Sequence, residues 1–224
     1  MAHARIQLGA ITDSTNQTST SGYSFNHIVE SQGARALIVC IGARDTTTTG
    51  DTVVSSVTFG GAPMSEARSE VTGGGGTVAV RSSVWVLNNP PSGSAAVAVT
   101  FAATVNQSRA VTFALWNVDQ TTSQDVAAVG TAANAANPTL SITPVTDRAF
   151  LVGSHFRSGF EVVSPASGQT EIVNLTDSST YRLHVCTKEV EVPGATAMNL
   201  TAASNKYGYV IIALRPRRRR VRTS

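Results

Sequence analysis

Six arginines crowd the last ten residues: Arg215, Arg217, Arg218, Arg219, Arg220 and Arg222. A guanidinium is a planar fork of donors that fits two oxygens of a phosphate or carboxylate at once. The segment can therefore hold nucleic acid or an acidic protein surface. The chain has a formal charge of +3, so taking away these six leaves −3 for everything else. A mildly acidic body thus ends in a cationic peptide that has nothing to add to a core. The body does not interleave basic with aromatic residues, as nucleic-acid grooves do. Three uses stay open, in order of preference: a clamp on an acidic patch of a neighbouring subunit, a solvated tail that aids solubility, and a nucleic-acid contact.

Other candidate chemistry is sparse. Asp45 and Asp51 flank Thr46-Thr47-Thr48-Thr49-Gly50, a run of oxygens of the kind calcium takes. Their spacing matches no EF-hand loop and no third acid is near, so a solvated loop is expected. His3, His27, His155 and His184 lack the spacing of a metal site. His155 and His184 fall in strand-like runs, where a hydrogen-bonded or exposed histidine is expected. There is no G-x-S-x-G nucleophile turn and no G-x-x-x-x-G-K. Gly73-Gly74-Gly75-Gly76 lacks the lysine and following helix of a phosphate loop. None of the 14 acids sits in the aromatic-rich context of a glycosidase pair. No catalytic, cofactor-binding or metal residue is assigned, and the chain is read as non-enzymatic.

Trp116 is the best hint of a ligand surface. Alternation over Arg109–Val118 puts Val111, Phe113 and Leu115 on one face and Trp116 on the other. There the indole either meets a ligand such as a sugar or lies under a second packed layer. Asn89-Pro90-Pro91 is read as a strand-ending turn. Asp119-Gln120-Thr121-Thr122 is read as an Asx-turn.

The elements that must position these residues are strands. Charged residues are 14% of the chain, against roughly 25% in an average soluble domain. Small and β-branched residues take their place. A surface so low in charge is expected to be covered by copies of itself or by a larger assembly. Apolar runs of period two are bounded by turn residues at Ala4–Ala10, Tyr23–Val29, Ala34–Ala43, Val53–Gly60, Ala62–Glu70 and Thr77–Leu87. They continue at Ala95–Ala103, Arg109–Val118, Val126–Val129, Thr139–Thr143 and Arg148–Phe156, then Gln169–Leu175, Tyr181–Glu191, Thr196–Ala202 and Tyr207–Leu214. Gly60-Gly61 signals a two-residue hairpin. The alanine-rich stretch 125–137 carries a glycine, asparagines and a proline, which argue against a helix of more than a turn or two. The four-glycine run is read as a loop tip.

The pattern predicts an all-β chain: one large antiparallel β-sandwich over residues 1–214, followed by an arginine-rich tail, 215–224. No apolar run reaches the ~18 residues of a membrane span. The opening M-A-H-A-R-I-Q-L-G-A has no apolar h-region, so the protein is expected to be made in a cytoplasm and to stay there or leave by cell lysis. Cys40 and Cys186 are expected to be buried free thiols, with a disulfide between them left open.

Three segments in order carry a resemblance: V-S-S-V-T-F-G-G-A-P-M-S, then S-S-V-W-V-L-N-N-P-P-S-G-S, then A-V-T-F-A-L-W-N-V-D-Q-T-T-S. This order resembles a family of uncharacterised β-sandwich proteins of tailed phages and prophages. The matching positions are Val57–Ala62, Trp85–Gly93 and Val118–Thr122, within residues 53–125. Asn117 and Ser123 depart from that family's glycine and proline. The resemblance implies a jelly-roll-like virion protein: a capsid decoration protein, a head fibre or a tail-associated module. The expected function is non-enzymatic and structural, with a homo-oligomer that binds neighbouring virion subunits such as the major capsid protein. Assembly is expected in the host cytoplasm. A decoration protein sits outside the shell, which places nucleic acid behind protein as the tail's partner. The alternative is a carbohydrate-binding module for host attachment, with Trp116 in its site.

Overall fold

The computed structural model describes residues 3–46, 49–73, 77–177 and 179–218. Among them are sixteen strands and no helix. The strands are β1 Gln7–Asp13, β2 Gln17–Val29, β3 Ala36–Asp45, β4 Val54–Phe59, β5 Ala62–Pro63, β6 Ser65–Thr72, β7 Ala79–Asn88 and β8 Gly93–Trp116. They continue with β9 Gln124–Ala135, β10 Thr139–Ile142, β11 Ala149–Ser158, β12 Ser164–Pro165, β13 Thr170–Thr176, β14 Tyr181–Val190, β15 Thr196–Thr201 and β16 Asn205–Leu214.

They form three antiparallel sheets. One has eight strands in the order β5-β4-β8-β3-β7-β6, with β1 and β2 also paired to β8. The second has five, β13-β14-β11-β16-β9, and the third has three, β10-β15-β12. The expected antiparallel sandwich is what forms, with the two larger sheets packed face to face.

The dry core lies between those two sheets. Ile38, Cys40, Val84, Phe113 and Leu115 meet Val152, Phe156, Leu183, Val210, Ile212 and Leu214, all buried. Each such side chain contributes about 1.5–3 kcal/mol of hydrophobic stabilisation. Phe156 fills the space over Gly42, where a Cβ would stand 1.9 Å from the Phe156 ring. Gly208 lets β16 approach β6 equally closely, since its Cβ would fall 2.4 Å from the Glu70 carbonyl oxygen.

β8 merges two strands expected separately. Residues 103–108 read A-T-V-N-Q-S, with neither glycine nor proline to interrupt them. The first half of β8 pairs with β2 and β4, the second with β1 and β3. The first half folds back, so that Val97, Val99 and Phe101 cover Leu37, Val39, Ile41 and Ala114 in a second cluster. A third cluster lies outside the five-stranded sheet, where Ile142, Val163, Met198 and Leu200 cover Leu151, Cys186, Tyr209 and Ile211.

Other boundaries differ too. The alanine-rich stretch is β9, a full edge strand, and its Gly130 makes room for Glu70, which would lie 2.2 Å from a Cβ there. The Gly60-Gly61 hairpin forms as expected, both glycines having positive φ and Phe59 pairing with Ala62. Only Ala62–Pro63 pairs back on β4, however; Ser65–Thr72 crosses to β7. Thr72 pairs with Val80, so the chain turns back across the four-glycine run, of which residues 74–76 lie outside the described residues. Cys40 and Cys186 are both buried and free.

Candidate functional site

The apolar run of β16 sits between β11 and β9, buried from Tyr207 to Leu214. Backbone pairing does not stop there. The Arg215 amide donates to Ser123 O at 2.8 Å, and the Asp119 amide donates to Arg215 O at 2.8 Å. Pro216 bridges Val118, and the Arg217 amide donates to Asn117 O at 2.6 Å. The Ala4 amide donates to Arg217 O at 2.9 Å, and His3 bridges Arg218. Residues 215–218 are therefore an extended segment laid between the 117–123 loop and the N-terminal residues, with its backbone groups largely satisfied.

One side-chain pair fixes the start of this segment. Arg215 Nε lies 3.3 Å from Asp125 Oδ1, and the Asp125 side chain is fully buried. The other carboxylate oxygen accepts the amides of Val145 at 2.7 Å and Thr146 at 3.1 Å. Burial works to raise the Asp125 pKa, but the Thr146 hydroxyl, those two amides and Arg215 outweigh it and hold the carboxyl below the usual range. A single carboxylate thus ties the start of β9, the turn before β11 and the first tail arginine together.

Arg217 and Arg218 are exposed, and neither has an ion pair among the described residues. The acids beside the N-terminal residues are already engaged by other cations. Arg5 reaches Glu189 at 3.0 Å and Glu191 at 2.9 Å, Arg148 lies 3.8 Å from Glu191, and His3 Nδ1 is 2.6 Å from Asp147 Oδ1. Arg219, Arg220 and Arg222 lie outside the described residues.

Trp116 lies on the face opposite Val111, Phe113 and Leu115, as the alternation predicts. That face is covered, however: Thr112 and Ala114 on it are buried. Trp116 itself is half-buried, its ring 3.0 Å from where a Cβ on Gly9 would stand, and its N–H is buried without a partner among the described residues. Asp119 Oδ1 accepts the Thr121 and Thr122 amides at 2.8 and 3.1 Å, so the Asx-turn forms. Arg35 Nη2 donates to Pro90 O at 3.0 Å and pins the proline turn. Asp45 is buried and accepts the Asn106 amide at 3.2 Å, not the solvated group expected. Among the described residues no three His, Cys, Asp or Glu side chains are grouped to hold a metal, and no helix is long and apolar enough to cross a membrane.

A cluster that sequence reasoning missed lies on the outer face of the five-stranded sheet. His155 pairs across the ladder with His184, and Arg157 with Arg182. The signal was present: H-F-R at 155–157 and R-L-H at 182–184 are mirror images that meet when two strands pair antiparallel. All four residues are buried, Arg157 to 1% exposure. Arg157 Nη2 donates to Glu161 at 3.0 Å. Arg182 donates to Phe160 O at 3.0 Å through Nε, again through Nη2, and to Asn174 Oδ1 at 2.6 Å. His184 Nε2 lies 3.2 Å from Glu171.

His155 packs against Tyr207 and Tyr209, with ring centroids at 5.4 and 5.8 Å. Neither of its nitrogens has a hydrogen-bond partner among the described residues, so it is neither bonded nor exposed as expected. Burial, with His184 and Arg157 adding to it, pushes the His155 pKa well below its ordinary value. Burial also lowers His184 against the pull of Glu171.

No protein-family model matches the chain, and no curated protein matches it. Two solved structures resemble it weakly. An atomic structure of Sulfolobus turreted icosahedral virus is 8% identical, covers 95% of this chain and 91% of that one, and has a TM-score of 0.31. A crystal structure of the STIV MCP is 8% identical, covers 93% and 97% respectively, and has a TM-score of 0.29. Likenesses at this level carry no functional argument.

Proposed function

We propose that the chain is a non-enzymatic structural component of a virion, a capsid decoration protein or another head- or tail-surface subunit. Residues 1–214 form the body, which self-associates through its low-charge Thr/Ala/Val faces. Arg215 is taken up by Asp125 of the chain itself, so the grip on an acidic patch of a neighbouring virion subunit, such as the major capsid protein, falls to Arg217, Arg218, Arg219, Arg220 and Arg222. Assembly takes place in the host cytoplasm.

The observation that carries the reading is the anchorage of the tail. A solubility tail needs no fixed root, whereas this one is tied by Asp125–Arg215 and by backbone bonds through Arg217. A fixed root lowers the ordering entropy that a docking peptide loses on binding. Arg217 and Arg218 form no ion pair among the described residues, so their charge is available to a partner. The phage-type motifs over residues 53–125 supply the virion setting. The sugar-binding alternative has less support, because Trp116 is packed on Gly9.

Protein quantification on density-gradient-purified particles tests the reading. Many copies per particle and no retention on glycan arrays are expected. Absence from the particles overturns it, and a few copies together with glycan binding that is lost in Trp116→Ala favours the attachment module.

A further inference from the structure

The cluster centred on His155 is covered by the segment 159–166 and the three-stranded sheet. The cover is held by the apolar contacts of Ile142, Val163, Met198 and Leu200 on Leu151, Cys186, Tyr209 and Ile211, by the Tyr209 hydroxyl donating to Met198 O at 3.0 Å, and by a few polar ties over the cluster itself. Phe160 O accepts from Arg182, Glu161 accepts from Arg157, and Val163 O accepts Asn174 Nδ2 at 2.8 Å. Ser164–Pro165 pairs with Leu200–Thr201. The cover also shows Phe160 and Val162 to solvent, at 51% and 66% exposure, so it buries only part of its own apolar surface.

The groups facing the two histidines can be named element by element. β11 contributes Arg157, β14 contributes Arg182 and Cys186, β13 contributes Glu171, and β16 contributes Tyr207 and Tyr209. The cover contributes Glu161, and β10, β12 and β15 hold no titratable residue. The only acids, Glu161 and Glu171, sit at the rim at 47% and 42% side-chain exposure, where water screens them. Two buried guanidinium groups therefore stand beside the imidazoles and disfavour further positive charge there.

We infer that residues 159–166 and the three-stranded sheet form an acid-released cover, opening locally over the His155–His184–Arg157–Arg182 cluster while the sandwich beneath stays folded. The closed state keeps both imidazoles neutral, and the open state lets both take protons from water. Their folded pKa values are depressed, so the closed state is fully favoured above about pH 6.5 and loses ground as pH falls below it. Over the first pH unit below that value each histidine raises the opening constant about fivefold and the pair about thirtyfold, the slope steepening toward tenfold per histidine at lower pH.

The chain carries its own reporters. Cys186 lies beneath the cover, with Sγ 3.4 Å from Gln169 Oε1, and Cys40 lies in the inner core. Labelling with 4,4′-dithiodipyridine, a disulfide reagent that works in acid, is followed at each thiol and normalised to free glutathione at the same pH. From pH 6.5 to 5.5 the Cys186 rate is expected to rise about thirtyfold and to stay far above the Cys40 rate, which reports global unfolding. His155→Phe and His184→Gln should each cut the rise to about fivefold. A flat Cys186 rate overturns the inference, as does a Cys186 rate no faster than that of Cys40 at every pH or a slope unchanged in both variants. The wild-type slope and the Cys40 control decide the matter even if one variant fails to fold.

Discussion

Alternate residues of β11, β14 and β16 stand in two different environments. Toward the eight-stranded sheet they are Val152, Phe156, Leu183, Val185, Val210 and Ile212. Toward the outer sheet they are His155, Arg157, Arg182, His184, Tyr207 and Tyr209. The strands and backbone bonds are the same, so the contrast isolates side-chain chemistry. The inner face gains stability from apolar burial, which does not depend on pH. The outer face adds buried cations and neutral imidazoles to the apolar contacts of the third cluster, and it loses stability as the imidazoles take protons. One sheet thus supports a permanent core on one side and a conditional layer on the other.

The comparison breaks most readily from the inner side. Phe156→Ala should lose about 3–5 kcal/mol in urea unfolding, because the ring fills the space over Gly42 and no neighbour can collapse into it. A loss under about 1 kcal/mol would show that the face is not the close-packed core described. Next in size is the tail root. Asp125→Ala should cost about 2–3 kcal/mol at pH 7, since it leaves the Val145 and Thr146 amides and Arg215 without their acceptor. The folded Asp125 pKa is depressed, so its contribution is present above the unfolded value and is lost as pH falls through the folded one. The gap between wild type and variant should therefore narrow in acid, and a gap constant down to pH 2 would assign the loss to packing.

The outer face gives the smallest effect at neutral pH. His155→Phe should change stability by less than about 1 kcal/mol at pH 7, because the ring nitrogens it removes have no partner among the described residues. Its effect should appear in acid as a flatter pH dependence, by about 1.4 kcal/mol per pH unit. A large loss at pH 7 would mean that His155 is a structural hydrogen-bonding residue.

The inner face was legible because its alternation is apolar and uninterrupted, as in Val111–Leu115 and Tyr207–Leu214. The Asx-turn at Asp119 and the glycine hairpin at Gly60-Gly61 were legible because each rests on local chemistry. The outer cluster was harder to read. H-F-R and R-L-H each look like a solvated strand face, and only the antiparallel register of β11 and β14 brings them together under a cover. β9 was obscured because its alanines and glycine are poor strand formers, held there by pairing with β16. Trp116 was placed on the correct face, but the backward fold of β8 that covers this face is a long-range event with no local signature.

The functional claim rests on the tail, and its most direct test is particle occupancy. Protein lacking Arg217–Ser224 and full-length protein are added to particles stripped of both, and the bound copies are counted across a salt series. The account predicts full occupancy for the intact chain at low salt, falling as salt screens the arginines, and much weaker binding without the tail at every salt. Equal occupancy of the two proteins, independent of salt, would contradict it.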